Sequence, residues 1–89
     1  MASQEESLIE FPCRFPIKVI GIRHEDFSNQ LLEIIQLHDP KLTLVDVKVR
    51  ESRKGNYLGA TVTVNAESKA QLDAIYLSLT GHPLVKVVI

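Results

Sequence analysis

Eighty-nine residues at 45 % hydrophobic content suffice for one core and not for two, since a chain of this size buries only about 60–65 % of its unfolded surface. A formal charge of −1 supplies no general attraction to nucleic acid or anionic lipid, and a single cysteine can make neither an internal disulfide nor a thiolate cluster. The acidic start Met1–Ser7 lacks the basic-then-apolar order of a signal peptide and no apolar run approaches the ~18 residues of a membrane span, so the expectation is a cytoplasmic protein without membrane contact.

Residues 1–7 have no apolar face to bury and read as a flexible tail, leaving 8–89 as the folded unit. Pro12 and Pro16 bias the residues before them to extended geometry, and Cys13–Ile22 follows as strand one. Phe15, Ile17 and Val19 share one of its faces and Lys18, Ile20 and Ile22 the other, the pattern of a central strand. Gly21 allows a close backbone approach near its end.

Asp26 or Glu25 is placed to cap helix one, whose stripe Phe27, Leu31, Ile34, Ile35 and His38 recurs at spacings of three and four until Asp39-Pro40 ends it. Lys41–Glu51 reads as strand two, with Val45, Val47 and Val49 on one face. Ser52–Tyr57 turns the chain, Gly55 and Asn56 being the residues that tolerate positive φ, and strand three runs on to Ala66 with Leu58, Ala60, Val62 and Val64 inward. Ser68 and Gln71 form a capping box for helix two, whose buried stripe is Leu72, Ile75, Tyr76 and Leu79. Gly81 supplies a left-handed stop, and Leu84–Ile89 is strand four with Val85, Val87 and Ile89 on one face.

The order βαββαβ specifies an α+β, ferredoxin-like sandwich: a four-stranded antiparallel sheet in order 4-1-3-2 with two helices on one face. The other face is left open. It carries charged residues on strand two, threonines on strand three, and Ile20, Ile22 and Val88 on strands one and four, while strands two and four are edges with unpaired backbone groups. Self-association or docking of a protein partner through this face is the leading expectation, with Ile20, Ile22, Lys54 and Tyr57 as contact residues.

No catalytic chemistry is legible. His24, His38 and His82 lie at no ligand spacing from one another or from Cys13, so no metal site or cofactor is expected. Cys13 has a cationic neighbour, Arg14, but no histidine or second cysteine near it in sequence, and reads as an inert thiol. No pair of carboxylates is forced together for acid–base work, and the expectation is not an enzyme. Lys54-Gly55-Asn56-Tyr57 has the basic-glycine-aromatic order of an RNA-recognition strand, but Thr61, Thr63 and Asn65 occupy the open-face positions where bases would stack on aromatic rings.

Leu8–Pro12, Phe15–Gly21, Lys54–Tyr57, Gln71–Tyr76 and Val85–Ile89, in this order and spacing, resemble the bacterial YbeD-like family of short proteins of uncharacterised function. The resemblance implies a fold similar to ACT regulatory domains, which bind small molecules such as amino acids at paired domains. It also implies a link to lipoate metabolism. On that analogy a small-metabolite site would use the turn after strand one, here Gly21-Ile22-Arg23-His24-Glu25-Asp26-Phe27, with Gly21, Arg23, His24 and Asp26 as ligand-binding residues. The two functional expectations are thus a non-catalytic regulatory or adaptor domain and an ACT-like sensor of an amino acid or lipoate-related metabolite.

Overall fold

Period-two alternation becomes four strands, β1 (Cys13–Ile22), β2 (Val47–Glu51), β3 (Tyr57–Ala66) and β4 (Val85–Val88). The stripes of period three and four become two helices, α1 (Phe27–Gln36) and α2 (Lys69–Thr80). The computed structural model describes residues 10–52 and 55–89. The expected tail 1–7 lies outside these residues, as do Arg53 and Lys54. The strands form one antiparallel sheet in the order β2-β3-β1-β4, the ferredoxin-like arrangement expected, read from the opposite edge.

β1 pairs with β3 over its whole length, from Cys13 opposite Ala66 to Ile22 opposite Tyr57. This register sets Ile17 and Val19 beside Val62 and Ala60 on one face, where Phe27, Leu31 and Ile35 of α1 and Leu72, Ile75 and Leu79 of α2 cover them. All of these side chains are buried, and each large one contributes about 1.5–3 kcal/mol by leaving water. Because the side-chain period of a strand is two, burying this set commits Lys18, Ile20 and Ile22 to the uncovered face. Among the described residues no helix is long and apolar enough to cross a membrane.

Local details depart from the alternation. The expected strand from Lys41 is extended only from Val47; Leu44–Asp46 is a 3-10 turn, closed by the Asp46 amide on the Thr43 carbonyl (3.0 Å) and by the Thr43 amide on Asp46 Oδ2 (3.1 Å). Side-chain-to-backbone bonding here overrides the β preference of the valines and leaves Val45 exposed. α1 stops at Gln36, so His38 leaves the helical stripe and its Nε2 meets Ser78 Oγ at 2.9 Å. Asp26 caps α1 through its backbone, its carboxylate making no cap bond. Ser68 Oγ accepts from the Gln71 amide (3.1 Å), while Gln71 Oε1 accepts from Glu67 rather than Ser68.

Gly81 ends α2 in a right-handed conformation (φ −88°, ψ −3°), its amide on the Leu77 carbonyl and the next amide on that of Leu79. No left-handed residue is needed there. A bulge in β4 sets Val87 opposite Ile20 and Val85 opposite Gly21. The extra residue reverses the alternation, so Val85 and Val88 both pack on the core and Val87 takes the open-face place expected for Val88.

Candidate functional site

The loop after β1 is held by its own contacts. Gly21 is buried, and a methyl group on its Cα would fall well inside contact distance of the Phe27 ring and the Leu84 carbonyl oxygen. Its lack of a side chain thus serves the packing of α1 and of the chain entering β4, a role sequence alone did not distinguish from ligand approach. Arg23 turns away from the loop. Its Nη2 lies 2.9 Å from Glu51 Oε2 and its Nη1 donates to the Gly55 carbonyl at 3.3 Å, tying the end of β1 to the hairpin. The hydrogen bond from Arg23, then its charge, holds the Glu51 carboxyl below the usual carboxylate range.

His24 Nδ1 accepts from the Asp26 amide (3.0 Å), and Asp26 Oδ1 accepts from Asn29 Nδ2 (3.4 Å). The structure therefore brings His24 and Asp26 together and separates them from Arg23, while Gly21 is enclosed by protein. The groove described next and two smaller hollows, one at Gln30–His82 and one at His38–Gln71, are lined by other residues.

The open sheet face is organised in cross-strand rows. One row runs Lys48–Thr61–Lys18, the next Arg50–Gly59–Ile20–Val87, and a third pairs Tyr57 with Ile22. Of the expected contact residues, Ile20, Ile22 and Tyr57 fall on this one surface; Lys54 lies outside the described residues. Ile22, Tyr57, Val87 and Ile89 are 40–65 % exposed, a large apolar display for a surface already freed from the core. Among them the two basic rows border an open groove of about 740 Å³ floored by Gly59 and Thr61 and lined also by Ile20 and Ile89.

Arg14 also faces this side, where its guanidinium donates to Asn65 Oδ1 (2.8 Å) and pairs with Asp46 Oδ1 (2.6 Å). Arg14, followed by the Thr43 amide, holds the Asp46 carboxyl below its ordinary value of 3.8. Lys18, Lys48 and Arg50 form no ion pair among the described residues. A surface of this kind offers charge-assisted hydrogen bonds to carboxylates or phosphates next to an apolar rim. Among the described residues no three His, Cys, Asp or Glu side chains converge as a metal site would need.

Strand alternation marks the open face but places Val87 and Ile89 on the other side, from which the bulge moves them, and it gives Gly59 no role. The available signal for Gly59 was a glycine interrupting a strand with no turn around it.

A family profile described as "Protein of unknown function (DUF493)" matches residues 6–89. A UPF0250 protein of Chromobacterium violaceum is 51 % identical over 89 residues, covering all of both chains. A UPF0250 protein of Neisseria gonorrhoeae is 52 % identical over 91 residues, again covering all of both. The solution structure of protein HP0495 from H. pylori aligns with a TM-score of 0.70 at 14 % identity, over 91 % of this chain and 85 % of that one. That likeness is one of fold, and it agrees with the ferredoxin-like topology.

Proposed function

Because the chain belongs to the DUF493 family of proteins of unknown function, its role has to be argued from its own surface, and we propose that it is a non-catalytic regulatory or adaptor domain of the cytoplasm that acts by self-association or protein binding through the open sheet face and the sheet edges. The observation that carries this reading is the exposed apolar set Ile22, Tyr57, Val87 and Ile89 gathered on the one sheet face that no helix covers. A sheet needs a layer on only one side to fold, so apolar residues on its second side serve contacts the fold does not require.

The alternative, an ACT-like sensor of an amino acid or lipoate-related metabolite at Gly21, Arg23, His24 and Asp26, rests on fold-level analogy. Against it, Arg23, His24 and Asp26 already bond within the chain, and Gly21 is enclosed by Phe27 and Leu84.

Site-specific photocrosslinking in cells tests the interface. p-Benzoylphenylalanine replacing Ile22 or Tyr57 is expected to give discrete protein adducts, and the same group replacing Leu77, which is 74 % exposed on α2, is expected to give none. Adducts at Leu77 alone, or none at either open-face position, would remove the reading.

A further inference from the structure

We infer that the groove on the open sheet face is a docking site for an acidic, extended segment of another protein, its floor kept bare by Gly59. The inference rests on the open face being an interaction surface and adds the chemistry of what binds there.

Gly59 is the first observation. It is the third residue of β3, inside the strand, where glycine weakens the pairing, and has no positive φ to account for it. A methyl group there would meet only the Arg50 carbonyl oxygen, at an ordinary 3.7 Å. Packing therefore does not require glycine at this position. What the missing side chain does provide is depth, between Arg50 on one side and Ile20 on the other.

Charge is the second. Lys18, Lys48 and Arg50 surround the floor without an ion pair among the described residues. From strand spacing, Lys18 and Lys48 are about 10 Å apart across Thr61, and Lys48 and Arg50 about 7 Å apart along β2. A single small anion bound by all three would have to draw their charged ends together against their mutual repulsion. An extended chain repeats its same-face side chains about every 7 Å, so carboxylates on alternate residues match this spacing while the residues between them reach the apolar rim. A second copy docked face to face would oppose like charges. Single-stranded RNA would find Thr61, Gly59 and Ile20 where stacking rings are needed, with Tyr57 only at the margin.

Fluorescence anisotropy decides among these. The probe is a labelled octapeptide of alternating glutamate and valine, compared with its glutamine–valine counterpart and with oligouridylate. Preferred binding of the acidic peptide is expected, weakened about tenfold by Lys48→Glu with Arg50→Glu. Gly59→Val is expected to weaken it about fivefold without lowering the thermal midpoint, since a β-branched residue suits the strand. Equal binding of both peptides, binding unchanged in the charge-reversed variant, or oligouridylate binding that outcompetes the peptide would each overturn the inference. Crosslinks at Ile22 and Tyr57 together with any of those results would leave the interface reading standing and remove only this one.

Discussion

Two glycines with similar places in sequence, each inside a strand, have opposite physical roles. Gly21 is pressed between Phe27 and the Leu84 backbone, and backbone cannot rotate aside as a flexible side chain can. Gly21→Ala is therefore expected to cost about 1–3 kcal/mol through overpacking, read as a lower urea midpoint. Gly59→Ala, whose Cβ would meet only the Arg50 carbonyl oxygen at an ordinary 3.7 Å, is expected to be neutral or stabilising by about 0.4–1 kcal/mol. Equal losses at the two positions would contradict this assignment. A Gly21 variant is also a poor probe of ligand binding, because it disturbs the packing of α1 on the sheet. At Asp46 the residue scale sets a pH dependence. Its carboxyl is depressed in the fold, so the stabilisation from Arg14 and the Thr43 amide is complete above the ordinary value of 3.8 and is lost as pH falls from there through the lower folded value. The stability difference between the wild type and Arg14→Gln is accordingly expected to narrow as denaturation curves are taken below about pH 4, the bond to Asn65 leaving a remainder that does not titrate. A difference that widened with acid would contradict the pairing.

Elements meet at a carboxylate that the sequence presented as a helix terminator. Asp39 is only 2 % exposed, three residues past the end of α1, and its Oδ2 accepts from the Asn65 amide at 2.8 Å, the two oxygens together receiving Asn65 Nδ2 and the Lys41 amide. Gln71 of α2 bonds the carbonyls of His38 and Asn65 beside it, so the end of α1, the end of β3 and the start of α2 share one polar joint. Asp39→Ala leaves these buried donors unsatisfied and is expected to cost about 1–3 kcal/mol in urea denaturation; a change below about 0.5 kcal/mol would mean that water replaces the carboxylate freely. Asp39-Pro40 reads in sequence only as a stop, because nothing local says that Asn65 will come to it from twenty-six residues away. The same limit governs the rest of what was legible. Alternation and helical spacing carried the element order, the covered face and the identity of Ile20 and Ile22 as open-face residues, since each depends on periodicity within one segment. The 3-10 turn at Leu44–Asp46 rests on the local Thr43–Asp46 bonds, which strand alternation does not report, whereas the bulge that substitutes Val87 for Val88 and the row joining Lys18, Thr61 and Lys48 depend on register between segments. The bulge and the row are settled by tertiary pairing and leave no periodic trace.

Across the whole molecule, a net charge of −1 conceals an asymmetry. The open face holds Lys18, Lys48 and Arg50 without ion pairs among the described residues, while Glu25, Asp26 and Glu33 belong to α1 and the loop before it, and Asp73 of α2 is paired with Lys69 of the same helix. This asymmetry gives the two forms of the proposed interaction opposite salt dependence. Two copies stacked open face to open face bring like charges together, so their association is expected to strengthen as salt rises and the screening length falls from about 10 Å at 0.1 M to about 3 Å at 1 M. An acidic partner on the same face is expected to weaken over that range, because salt screens an attraction. Sedimentation velocity of the chain alone, and of the chain with a crosslinked partner's purified form, separates the cases. The predicted result is a chain that remains monomeric at 0.1 M salt and a partner complex that dissociates toward 1 M. Dimerisation at low salt that fades at high salt, and persists in Lys48→Glu with Arg50→Glu, would place self-association away from the basic rows, on the side of the sheet whose edge is β4.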